Sequence, residues 1–173
     1  MNVGTKSLLF GIHQFILHPI SVLLAWIKLY GKPSWKELVC IIIHDWGYFG
    51  SPNMDGREGE RHPEFAAKIV GKLFGQEYHD LCLYHSRHYA RKAGHMPSKL
   101  CWADKLCIKY NPWWLYIPLS WLTGELFEYR RNTADAGFLP ITATHREWFK
   151  WVSGWLIEQG LSQKSSIKLA NNN

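Results

Sequence analysis

Disulfide and zinc-knuckle chemistry is the first thing missing. The four cysteines, Cys40, Cys82, Cys101 and Cys107, form no C-x-x-C pair, and each lies among apolar residues. Buried free thiols in a reducing compartment are expected, not a stapled secreted scaffold or a cysteine-bound zinc. A clean membrane-spanning run is also missing. Residues 7–27 are long enough, but His13, Gln14, His18 and Pro19 interrupt them, and the apolar residues 112–122 are too few to span. No signal cleavage pattern stands out. These gaps predict a cytoplasmic chain without a membrane span, with peripheral contact to a membrane surface as the lesser reading. No repeat is visible, and no lasting period-two alternation, which argues against a β-rich fold. Acid is in short supply: 14 Asp and Glu against 20 Lys and Arg leave a formal charge of +6. That excess suits an anionic partner, whether a phosphorylated small molecule, nucleic acid or a lipid surface, and does not choose among them.

What is present is helical pattern. With 173 residues, 47% of them hydrophobic, the chain suffices for one domain with a real core, placed at residues 1–160. The last residues, 161–173, lose periodicity and end in three Asn, so a flexible tail is expected there. Pro19 suits the first turn of a helix through SVLLAWIKLY, ended near Gly31 and Pro33. Ser34 and Glu37 form a capping box before LVCIII, which favours a buried helix ending at His44 and Asp45. A polar, glycine-rich loop follows over residues 47–60 and is expected to border a functional site. Further helices are predicted from Pro63, over residues 76–93 carrying both His85 and His88, and from Ser98 through Asp104. Two or three more fill residues 111–160. The tryptophans there (Trp113, Trp114, Trp121, Trp148, Trp151 and Trp155) are read chiefly as packing residues, with an exposed subset that stacks on a base or forms a dimer surface as the lesser reading.

Histidine is unevenly spread: eight of the nine lie in the first 95 residues. It is a common transition-metal ligand, and carboxylates join it at hydrolytic metal sites. Two His-Asp pairs occur. His79-Asp80 follows the polar QEY and reads as an ordinary turn of helix. His44-Asp45 follows LVCIII, where a carboxylate is costly to bury unless it is paired or metal-bound. Asp104, within CWADKL, invites the same argument.

In order along the chain stand HPISVLLAW at His18, IIIHDWGY at His44 and Asp45, HPEFAAKIV at His62, LYHSRH at His85 and WADKL at Asp104. This ordered set, over residues 13–110, resembles the HD-domain superfamily of metal-dependent phosphohydrolases. The resemblance implies an all-α HD-domain bundle with additional Trp-rich C-terminal helices. It implies one metal held by His18, His44, Asp45 and Asp104, with His18 preferred over His13. His62 and His85 would add nitrogen ligands for a second metal, with Asp45 bridging. Two divalent ions of iron, manganese, cobalt, nickel or zinc are therefore expected, acidifying water to a hydroxide that attacks a phosphate ester. Arg61, Arg87, Arg91 and Lys105, each near an expected ligand, are candidates to neutralise phosphoryl charge. His88, read as one helical turn beyond His85, is a candidate phosphate binder or proton donor. Glu58 and Glu60 are candidates to orient a ligand histidine.

The expected substrate is a nucleotide or other small phosphate ester. Two other readings stand beside it. A branch of the same superfamily uses six such ligands as a di-iron oxygenase. Charge and aromatic content also suit a nucleic-acid or membrane-surface binding module with a structural metal site, although no RNP-like, zinc-finger or basic-helix motif is present. Oligomeric state is not legible.

Overall fold

The computed structural model describes residues 1–170, with side-chain environments through residue 163. Among the described residues there is no strand and there are ten α-helices, so the chain is all-α. They are α1 (Val3–Phe10), α2 (Leu17–Tyr30), α3 (Trp35–Ile43), α4 (Pro63–Phe74), α5 (Gln76–Leu83), α6 (Arg87–Lys92), α7 (Lys99–Leu106), α8 (Trp113–Thr123), α9 (Glu125–Asp135) and α10 (His145–Ala170).

Local chemistry explains several of the boundaries. The capping box expected before α3 is formed: Glu37 N–H donates to Ser34 Oγ, and the Ser34 N–H donates to the Glu37 carboxylate at 2.7 Å. Thr144 and Glu147 reciprocate in the same way at the start of α10. Pro63 opens α4, where its missing N–H has no partner to lose. The helix predicted over residues 76–93 is broken. It ends at Leu83, and a turn through His85 leads to Ser86, whose hydroxyl caps α6 by accepting from His88 N–H. At the other end, α10 continues to Ala170, through most of the stretch expected to be a tail; residues 171–173 lie outside the described residues.

One large core joins α2, α3, α4, α5 and α7, with Val22, Ala25, Trp26, Cys40, Ile41, Val70 and Leu100 wholly or almost wholly out of water. All four cysteines are free and buried. A second core gathers Ile108, Leu126, Trp148 and Phe149 between α8, α9 and α10, and Ile157 touches both. The cavity described next is walled by both sets of helices.

Candidate metal centre

The six residues singled out from sequence converge. One donor from each of His18, His44, Asp45 and Asp104 falls within 4.8 Å of the others, and Asp45, His62 and His85 meet the same criterion. Asp45 belongs to both groups. His18 Nε2 lies 3.0 Å from Asp45 Oδ2 and 3.3 Å from Asp104 Oδ1. Asp45 Oδ1 lies 3.4 Å from His44 Nε2, 3.6 Å from His62 Nε2 and 3.5 Å from His85 Nε2.

Three of the four imidazoles are held by one device. His44, His62 and His85 each stand just past the end of a helical segment, where a carbonyl has a lone pair to spare. Each turns its Nδ1 back onto the carbonyl three residues earlier: Ile41 O at 2.9 Å, Gly59 O at 2.6 Å and Cys82 O at 2.5 Å. A carbonyl only accepts, so each Nδ1 carries a proton and each ring turns its Nε2 toward the centre. Those Nε2 atoms face other nitrogens. His62 Nε2 is 3.0 Å from His85 Nε2, and His18 Nε2 is 3.3 Å from His44 Nε2. Two lone pairs at such separations repel unless a cation lies between or beside them. A proton serves in the bare protein, and a divalent metal fits the same donors. The donor set thus suits one or two metal ions of the kind bound by imidazole and carboxylate.

Charge in the centre follows from burial and neighbours. Burial and the adjacent His85 push His62 down to about 3, so its ring is neutral at ordinary pH. Burial alone would raise Asp45, but the imidazoles of His44, His18 and His85 reverse this and hold it well below the usual carboxylate range. Burial likewise opposes ionisation of Asp104, and Lys105 with the same two histidines, His18 and His44, outweighs it. Lys105 Nζ stands 3.6 Å from Asp104 Oδ2; burial disfavours its charge, and Asp104 more than restores it.

The centre forms the wall of a cavity of about 480 Å³, room for a ligand of nucleotide size. Arg87, His88, Arg91 and Lys105 also line it, as do Asp55 and Glu60 from the loop, and Trp148, Trp151 and Trp155 from α10. Arg87 lies over the Trp155 ring at 5.4 Å and donates to Gln159.

Several sequence expectations need correcting. His88 is not one turn beyond His85 on a shared helix; the break at residues 84–86 places it exposed on α6, at the cavity lining. Arg61 is exposed, pairs with Glu64 and does not line the cavity. Glu58 and Glu60 do not orient a ligand histidine: Glu58 accepts from Asn53 and Glu60 from Ser86, while main-chain carbonyls do the orienting. Of the six tryptophans read as packing residues, Trp113, Trp114 and Trp121 are exposed. As expected, His79 and Asp80 bond to one another and to Gln76 on α5, outside the cavity.

Other features had no sequence signal strong enough to find them. Tyr48 stacks on His62 with ring centroids 3.9 Å apart. His13, set aside in favour of His18, lies against it at 5.1 Å and bonds Glu125 at 3.1 Å. Glu125 is fully buried and also accepts from Ser7, Thr123, Tyr129 and the Ile12 N–H, tying α1, α8 and α9 together beneath the cavity. Gly47 allows the 3-10 turn Trp46–Tyr48 to press on the His62 main chain, because a Cβ there would collide with the His62 carbonyl. No family model, no curated protein and no solved structure matches this chain.

Proposed function

We propose that this chain is a metal-dependent phosphohydrolase of the HD-domain type, acting on a nucleotide or another small phosphate ester. The observation that carries the reading is the pair of facing imidazole couples around Asp45, with the Nδ1 atoms of His44, His62 and His85 committed to carbonyls and all four Nε2 atoms turned inward. His18, His44, Asp45 and Asp104 would hold one divalent ion, and Asp45, His62 and His85 a second. When bound, two such ions supply Lewis acidity toward a phosphoryl oxygen and bring the acidity of water near neutral pH.

The remaining groups suit the same substrate. Lys105, kept charged by Asp104 at the cavity wall, would bind a phosphoryl oxygen. Arg87, stacked on Trp155 and bonded to Gln159, would meet a second oxygen with little loss of freedom. His88 at the cavity lining would donate a proton to the departing oxygen. Trp148, Trp151 and Trp155, which also line the cavity, would limit water there.

The test is metal analysis of purified protein, then a phosphate-release screen over nucleotides, sugar phosphates and an aryl phosphate with manganese, iron, cobalt, nickel and zinc in turn. Release that the combined His44→Ala and Asp45→Ala substitutions abolish supports the proposal; full release by that double variant overturns it. Four imidazoles beside two carboxylates also suit a pair of irons, which keeps a di-iron oxygenase as a second reading. Iron-dependent oxygen uptake, with no phosphate released under any metal, would favour that reading instead.

A further inference from the structure

Helix α2 is apolar on both faces. Val22, Ala25, Trp26 and Leu29 face the core. On the opposite side Ile16, Ile20, Leu24 and Ile27, at helical spacing, are 68%, 49%, 44% and 47% exposed. A surface helix ordinarily turns a polar face outward. The stripe does not end with the helix: Phe15 packs edge-on against Trp46, and both rings are themselves exposed.

What would cover this face is indicated by charge. The 43 residues before His44 contain four lysines, Lys6, Lys28, Lys32 and Lys36, and one acid, Glu37. Glu37 is turned onto the start of α3, capping it. Lys28 and Lys32 are exposed where α2 ends. A second copy of the chain would press two lysine-rich faces together, which like charges oppose. A nucleic acid would answer the lysines and leave the aliphatic stripe in water. An anionic lipid surface answers both: acyl chains take the stripe, Trp46 and Phe15 suit the headgroup level, and acidic headgroups meet the lysines. At 14 residues α2 is about 21 Å long, and among the described residues no helix is long and apolar enough to cross a membrane. The orientation must therefore be in the plane of the interface.

We propose that the outer face of α2, with Phe15 and Trp46, docks this protein on the surface of an anionic lipid bilayer. The assay is flotation of the full chain with phosphatidylcholine vesicles, with and without phosphatidylglycerol. The protein is expected to float with the phosphatidylglycerol vesicles and much less with phosphatidylcholine alone. Leu24→Glu combined with Ile27→Glu is expected to lower the partition coefficient about tenfold or more, with circular dichroism and melting unchanged because both positions are exposed. If that variant melts early, Leu24→Ser with Ile27→Ser is read on the same gradient. Three results overturn the proposal: flotation of the folded variant equal to that of the parent protein; equal flotation on the two vesicle types; or no flotation, together with a dimer in sedimentation that the same substitutions dissociate.

Discussion

The two donor groups of the candidate metal centre share Asp45 and are otherwise built differently. The first takes His18 from α2, Asp104 from α7 and His44 with Asp45 from the end of α3, all three helices being walls of the large core. The second takes His62 from behind the 3-10 turn Gly59–Arg61 and His85 from the break between α5 and α6. The first offers a cation two carboxylates; the second offers only a share of Asp45. The anchoring runs the other way. Both imidazoles of the second group are fixed through Nδ1 to carbonyls, whereas His18 Nδ1 in the first has only the Cys107 thiol at 3.9 Å. One group is rich in charge and the other in orientation. Since attraction for a divalent ion scales with the opposing charge, the first should fill first and empty last.

The largest expected effect comes from Asp45→Ala, which removes the only carboxylate of the second group and half the charge of the first. Metal analysis should find both ions lost, and phosphate release should fall about a thousandfold or more. A variant that still held one ion tightly would show that Asp45 is not common to both groups. The next effect separates them. His62→Ala should leave about one equivalent of metal and cost about a hundredfold in turnover, whereas Asp104→Ala should leave less than one. Equal losses from the two substitutions would break the distinction drawn above.

The two carboxylate donors were legible because the reason for suspecting them was energetic, whereas His18, His62 and His85 came from the ordered resemblance alone. Asp45 after LVCIII and Asp104 inside CWADKL are carboxylates placed where burial is costly, and both join the cluster, Asp45 buried and Asp104 half-buried. The start of α3 was legible for a similar reason, since Ser34 and Glu37 satisfy one another locally. The break at residues 84–86 was not, because no Gly or Pro marks it and the only signal is Ser86, a weak one by itself. That omission misplaced His88. The carbonyl anchors of His44, His62 and His85 depend on where a helix ends, to within one residue, which periodicity does not resolve. Glu125 and His13 are 112 residues apart, and only the tertiary fold brings them together. Spacing placed the tryptophans on faces of helices but carried no information on whether those faces find a partner, so Trp113, Trp114 and Trp121 were read as packed when they are exposed.

The smallest effect concerns protons in the metal-free protein, and it probes the second group alone. His62 titrates at about 3 when folded and near 6.5 when unfolded. Below 6.5 the unfolded chain therefore binds a proton that the folded chain refuses, and stability falls as pH falls from about 6.5 toward 3. By pH 5 the loss from this one ring is about 2 kcal/mol. The depressed carboxylates Asp45 and Asp104 add stability that is lost only below their ordinary value near 3.8, which lies under the pH 7 to pH 5 range of the test. His18 is raised, so its contribution is fully present only below 6.5 and fades as pH rises from there through its folded value; between pH 7 and pH 5 it opposes the His62 loss and is common to the parent protein and His62→Gln. Urea unfolding of the stripped protein between pH 7 and pH 5 should accordingly show a loss that His62→Gln removes. Adding a divalent metal to the parent protein should blunt the same loss, because the ion competes with protons for His62 Nε2. If the stripped parent protein and His62→Gln lose stability in parallel across that window, His62 is not held as a neutral donor, and the second group loses its claim to a metal.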